Sequence, residues 1–454
     1  MQTTLRKTAI IGLAIVIAVV LNYLLPYEDK VNKGLALLAL VAILWLTEVI
    51  HITVTALLVP ILAIFFGLEQ TKPALQAFAN PTIFLFFGGF AIATALSVQK
   101  LDQYIANRVI SFARGNFTIA VLLLFSVTAL LSMGISNTAT AAMMTPLAIG
   151  MLKNIDYKSN KATYTFVILG IAYSSSIGGM GTLVGSPPNA IVASQLHLTF
   201  SDWLKYGMPT MIGLMPLMLL TMYFVFKPNL KIKVNTTTSV ERLTQKQYMT
   251  IIIFGVTALC WILGDLLNDT ITNILGISKI ADFDAVIAIS AAVLICIGRI
   301  ATWKEVQENT DWGVLMLFGG GLTLSAILIN SGANKAMVDE IVFLVEGKHY
   351  YLIGLLVATF IIFLTEFTSN TASAALLVPI FISIAEALNM NPLGLSLIIG
   401  LGASCAFMLP VATPPNAIAY GTGMVSQQDM IKAGFVLNIL SIIFISVIAY
   451  WFWF

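Results

Sequence analysis

The chain has 454 residues, 59% of them hydrophobic and only 10% charged, with a mean hydropathy of +0.94. These values exclude an ordinary soluble domain and indicate a polytopic, all-α membrane protein. The formal net charge of +2 says little, because in a membrane the placement of charge matters more than its sum.

A spanning helix needs about 20 apolar residues. On that rule, spans are expected near 8–26, 34–50, 52–68, 81–98, 210–226, 248–266, 281–298, 313–330 and 435–454. The first lies behind Arg6 and Lys7 like a signal peptide, but without a small-residue cleavage site it reads as a retained helix. Four segments fit the rule poorly. Residues 117–152 are divided by Ser136-Asn137-Thr138, leaving a second arm of 14 residues, and 350–388 are divided in the same way by Ser369-Asn370-Thr371. Both read as re-entrant hairpins. Residues 163–193 and 393–423 are interrupted by "SSSIGGMGTLVGSPPN" and "CAFMLPVATPPN", and paired prolines do not continue a helix, so these are expected to be broken spans. Irregular backbone at membrane depth must be satisfied by protein or by a watery cavity, so the interruptions mark a candidate site.

The chain repeats itself. "LFFGGFAIATAL" answers "LMLFGGGLTLSAIL" at an offset of 231, the triplets match at 233, and "SPPNAI" answers "TPPNAI" at 227. Each half then holds five crossings and one hairpin, after a single leading helix. That makes about 11 transmembrane helices in two inverted repeats, a transporter architecture. Scaffold helices are expected in 1–116 and 231–349, and the two halves of a moving domain in 117–230 and 350–454. With the N-terminus inside and the C-terminus outside, sixteen of the 23 Lys and Arg residues fall on the cytoplasmic side, in accord with the positive-inside rule. Two amphipathic stretches, 99–114 and 334–346, are expected to lie on opposite membrane faces.

At a hairpin tip, N–H groups and the positive end of a helix dipole converge, which suits an oxyanion. Hydroxyls, amide oxygens and unwound carbonyls suit a small hard cation. No Lys, Arg, Asp or Glu occurs in 117–152, 162–194 or 393–428. No arginine can neutralise an anion held there, and a helix dipole supplies only about half a charge, so bound cations are the expected compensation. A lone Ser-Asn-Thr commonly joins helices by hydrogen bonds; duplication at matched positions favours a site. Two readings fit Glu366, a carboxylate that hydrogen-bonds the hairpin from behind or a titrating group. Glu48 reads as a satisfied acid at a helix end, with a proton carrier as the alternative. Pro146 and Pro379 read as helix bends. Cys260, Cys296 and Cys405, with His51, His197 and His349, are scattered and give no disulfide or metal spacing. No nucleophile and base are arranged for an enzyme, and "FGGGLTLS" lacks the GK[ST] ending of a phosphate loop.

Together the two triplets, the two Pro-Pro-Asn sets and the "FLFFGGF"/"MLFGGG" pair resemble the divalent anion/sodium symporters, of the INDY type of dicarboxylate transporters, over essentially the whole chain. The resemblance implies that Asn137, Thr138, Asn370 and Thr371 contact substrate carboxylates, with Ser186 and Pro414 lining the pocket. One sodium would lie among Ser132, Ser136, Asn137 and the Gly185 carbonyl. A second would lie among Thr365, Ser369, Asn370 and the Ala412 carbonyl. It further implies import of a succinate-like dicarboxylate with sodium, an elevator cycle, a homodimer in a bacterial inner membrane, and no nucleic-acid partner. A sodium-independent exchanger, or a sulfate or tricarboxylate symporter on the same fold, is the alternative.

Overall fold

The computed structural model describes residues 2–153, 155–232, 242–345 and 349–454. Among them every regular element is a helix, with no strand. The first part runs α1 (Gln2–Leu24), α2 (Asp29–Thr47), α3 (Ile52–Phe65), α4 (Thr71–Gln76), α5 (Pro81–Val98) and α6 (Leu101–Ser111). The first hairpin is α7 (Phe117–Ser132) and α8 (Asn137–Leu152), followed by the broken pair α9 (Lys161–Gly179) and α10 (Pro187–Leu196) and by α11 (Phe200–Phe226). Then come α12 (Gln245–Ile262), α13 (Gly264–Leu275), α14 (Phe283–Ile297), α15 (Trp303–Asn309), α16 (Trp312–Ser331) and α17 (Ala333–Val345). The second hairpin is α18 (Tyr350–Leu364) and α19 (Asn370–Ala387), with the broken pair α20 (Pro392–Ala403) and α21 (Pro414–Gly421), and α22 (Gln427–Ile448), extended by a π-helical turn over Ala449–Trp453, closes the chain.

Several boundaries differ from expectation, each for a local reason. The span expected over 34–50 ends at Thr47, where Glu48 turns left-handed at φ 47°. The span over 52–68 ends at Phe65, and that over 210–226 begins at Phe200, where Thr199 and Asp202 form a capping box. The span over 248–266 stops at Ile262, and the chain bends by 95° into α13, whose Asp265, Asn268 and Asp269 make a polar face that the span rule ignored. Among the described residues, seven helices are long and apolar enough to cross a membrane alone. The expected count of about eleven would further require α3, α12, α14 and the two broken pairs to cross and α19, which passes the length test, to be a hairpin arm. The first hairpin's second arm has 16 residues, because Ser136 caps it and Asn137 already belongs to the helix. Lys233 and Lys348, part of the charge argument, lie outside the described residues.

The duplication is visible as reciprocal packing. Helix α5 lies on α14 and α16 lies on α3. A Cβ at Gly88 would collide with the backbone of Ala288, and one at Gly320 would collide with the backbone of Ala56. Both contacts involve residues 232 positions apart in the repeat (88 with 320, 56 with 288), so each half supplies the glycine to one and the alanine to the other. The broken helices form the centre. From Thr163 to Gly179 every residue of α9 is buried, as is every residue of α20 from Gly394 to Ala403. A helix buried on all sides needs no polar face, which is why neither segment shows one in sequence.

Candidate functional site

The two hairpin tips are built alike. Ser136 caps α8 by accepting from the Ala139 N–H, and Ser369 caps α19 by accepting from the Ala372 N–H, each at 3.3 Å. The residue that ends each incoming arm turns back toward the tip. Ser132 Oγ donates to the Ser175 carbonyl at 2.7 Å and stands 2.6 Å from the Asn137 amide. Thr365 Oγ1 donates to the Ala403 carbonyl at 2.9 Å and stands 2.5 Å from Asn370 Oδ1. The end of the Asn137 amide also lies 3.0 Å from the Ser175 carbonyl and 3.2 Å from the Gly185 carbonyl. An NH2 group there donates to these oxygens, whereas an amide oxygen there completes an oxygen cluster for a cation. Gly179 and Gly185 permit this approach, since a Cβ on Gly179 would overlap the Asn137 amide and one on Gly185 would meet the Gly179 carbonyl.

The unwound links are pinned identically. Asn189 Nδ2 donates to the carbonyls of Gly179 (2.8 Å) and Thr182 (2.7 Å), while Asn416 Nδ2 donates to those of Ala406 and Leu409, both at 3.0 Å. These asparagines end the Pro-Pro-Asn motifs. Their spacing was plain in sequence, but their partners are backbone carbonyls seven and ten residues earlier, which composition does not reveal. The proline pairs occupy the first helical positions of α10 and α21. They have no N–H, so their backbone offers a ligand no donor.

All six expected substrate residues, Asn137, Thr138, Ser186, Asn370, Thr371 and Pro414, line one cavity of about 530 Å³. Ser136, Gly185, Ser369 and Ala412 line it as well, while Ser132 and Thr365 are fully buried behind the tips. Ser186 is nearly buried, and its hydroxyl pairs with Ser404 Oγ at 3.3 Å, joining the two halves. The far wall comes from α2, α5 and α16, through Thr47, Glu48, Phe86, Phe90, Asp311 and Val314. Asp311 was missed, and its spacing shows only a cap: its carboxylate accepts from the Val314 N–H at 3.1 Å. No Lys, Arg or His is among the described residues lining this cavity. A second cavity of about 470 Å³ lies beyond α10, lined by Asn80, Ser194, His197, Lys279 and the acids Asp265, Asp282 and Asp284. Val184, which lines the first cavity, packs closely against Gly89.

An all-helical chain of long apolar helices, with two capped tips facing one cavity, is a multi-pass membrane transporter and not an enzyme. A profile of the citrate transporter family matches residues 42–382, and the chain belongs to that family. It is 61% identical over 442 residues to an uncharacterized transporter of Haemophilus influenzae, covering 97% of this chain and 96% of that one. It is 34% identical over 462 residues to the sodium-dependent dicarboxylate transporter SdcS of Staphylococcus saprophyticus, covering 95% and 88%. Among solved structures, the YdaH transporter of Alcanivorax borkumensis, described as having an unusual topology, shares the fold with a TM-score of 0.61 at 13% identity. That likeness covers 99% of this chain and 98% of that one. The resemblance to the divalent anion/sodium symporters is thereby borne out.

Proposed function

We propose that the chain imports C4-dicarboxylates of the succinate type together with sodium ions, bound at the two hairpin tips. The observation that carries this reading is the 530 Å³ cavity with a Ser-Asn-Thr tip on either side and no basic residue among its described lining. Each tip offers one carboxylate the first-turn N–H groups and dipole of a helix, α8 or α19, with Asn and Thr side chains beside them. A helix dipole supplies only about half a charge, so a dianion needs further positive charge. Sodium at Ser132, Ser136, Asn137 and Gly185, and again at Thr365, Ser369, Asn370 and Ala412, provides it. At least two sodium ions therefore travel as cargo. The sodium-dependent dicarboxylate transporters at 34% identity agree with this assignment.

The hairpins, the broken pairs, α11 and α22 (117–230 and 350–454) form the moving unit in this reading. The first part of the chain and 231–349 form the scaffold, which contributes the far wall of the cavity through α2, α5 and α16. The site lies where the two meet, with the second cavity as the opposite approach. Alternating access then follows from sliding one unit past the other, as an elevator, in a homodimer of a bacterial inner membrane with the N-terminus inside and the C-terminus outside. The test is radiolabelled succinate uptake into proteoliposomes under an inward sodium, potassium or proton gradient. Uptake driven by sodium alone is expected. Equal uptake in potassium points to the sodium-independent exchanger, and uptake of citrate or sulfate in place of succinate reassigns the substrate.

A further inference from the structure

Of the positions at which the two tips differ, one carries a charged residue in the second tip only. Three residues before Ser369 stands Glu366, and three residues before Ser136 stands Met133. Glu366 is only 1% exposed. Its Oε1 accepts from the backbone N–H groups of Phe407 and Met408, each at 2.8 Å, and from Asn438 Nδ2 at 2.7 Å; its Oε2 accepts from the Leu409 N–H at 3.0 Å. All four partners are donors, the set that an ionised carboxylate requires and that a protonated one, with a proton of its own to place, does not match. Three consecutive N–H groups folded around one anion fix the conformation of the link between α20 and α21. That link carries Ala412, whose carbonyl belongs to the second cation site, and its N–H donates to the Leu409 carbonyl at 3.2 Å. Thr365, another ligand of that site, precedes Glu366 directly in the chain.

The first half holds the matching link with neutral groups only. Thr182 Oγ1 donates to the Met133 carbonyl, the Gly185 N–H donates to Thr182 Oγ1 at 3.2 Å, and Trp203 Nε1 donates to the Met180 carbonyl at 3.0 Å. The N–H groups of Met180 and Gly181, counterparts of Phe407 and Met408, fall back on the carbonyls of Ile177 and Gly178. No charge is fixed at this tip.

We propose that Glu366 is a positioning residue that makes the second tip the stronger of the two cation sites. Its carboxylate locks the Phe407–Leu409 turn and places beside Thr365 a negative charge that the first tip lacks. The second tip is therefore the first to take sodium, and the first tip fills at higher sodium concentration. This rests on the reading of the tips as sodium sites.

The experiment uses the full-length protein, purified and reconstituted, with two readouts. One is the sodium midpoint of succinate uptake against the succinate KM at saturating sodium. The other is the sodium-induced rise in Tm of the detergent-solubilised protein without substrate, which reports binding to the folded state. Glu366→Gln keeps size but turns an NH2 group toward the Leu409 N–H; it is expected to raise the sodium midpoint about tenfold while the succinate KM stays within about twofold. Glu366→Asp restores part of the shift. Should Glu366→Gln fail to fold, Thr365→Ala is expected to abolish the low-concentration sodium effect on Tm and Ser132→Ala to leave it in place. A sodium-responsive wild type with an unmoved Glu366→Gln midpoint, or equal losses in Thr365→Ala and Ser132→Ala, overturns the inference alone. A wild type indifferent to sodium overturns the proposed function with it.

Discussion

The two halves agree where a ligand would be held and disagree where the holder itself is held. Asn189 and Asn416, Ser136 and Ser369, Ser132 and Thr365 make matching contacts through matching atoms. Behind them the solutions diverge. The first link uses Gly179 and Gly185 for close backbone approach and a threonine hydroxyl for support, where the second has Ala406 and Ala412 and a buried carboxylate. The two copies keep the geometry of the cavity-facing tips, while the surroundings of each copy settle separately. If the tips hold cargo as proposed, internal symmetry points to the cargo-facing residues and breaks in symmetry to those that tune each copy.

The largest effects should come from the shared part. On the proposed reading, Asn137→Ala and Asn370→Ala each remove a donor to a carboxylate and a cation ligand. A hydrogen bond to a charged group contributes about 1.5–3 kcal/mol, so uptake should fall more than tenfold in each while the protein still reaches the membrane. If one mutant transports succinate normally, the tips are not an equivalent pair.

Next come the glycines that only the first half uses. Gly185→Ala forces a Cβ against the Gly179 and Ser132 carbonyls. Overpacking of this kind costs about 1–3 kcal/mol, and sodium-dependent uptake should drop about tenfold. Ala412→Gly asks nothing of its neighbours and should change uptake less than about threefold. Equal effects would mean that the two links share one backbone design after all.

The reciprocal helix contacts should respond in parallel. Gly88→Ala and Gly320→Ala push against the backbones of Ala288 and Ala56, and each should lower unfolding stability by about 1–3 kcal/mol, read as a Tm decrease in detergent. A loss confined to one of them would show that only one crossing is tight. Topology is the mildest perturbation. A cysteine at Lys158, between the first hairpin and α9, should be labelled only from inside sealed cells. One at Lys279, between α13 and α14, should be labelled only from outside. Labelling of both from one side would remove the inverted arrangement.

Much of this was legible in the sequence because the duplication repeats rare letters in apolar surroundings. Ser-Asn-Thr and Pro-Pro-Asn stand out, and all six residues expected to touch substrate converge on one cavity. What stayed hidden depends on distant partners. Nothing near Glu366 in the chain announces that its carboxylate collects N–H groups 41 to 43 residues away, or that Asn438, 72 residues away, joins them. Asp311 reads as an ordinary cap until α16 is seen beside the tips. The 95° turn into α13 escaped because a hydropathy window averages over a bend. Helix ends shifted by several residues wherever a cap such as Thr199 or Ser136 outweighed the polarity of its neighbours.

The central claim is that bound sodium supplies the positive charge that the cavity lacks. It is tested most directly by equilibrium binding to the purified protein, with succinate affinity measured in sodium and in potassium, and sodium affinity with and without succinate. Coupling between two ligands is reciprocal. Sodium should therefore tighten succinate by the same factor as succinate tightens sodium, about tenfold or more, a coupling free energy within the usual range, and potassium should do neither. Succinate binding of equal strength in potassium and in sodium would contradict the account.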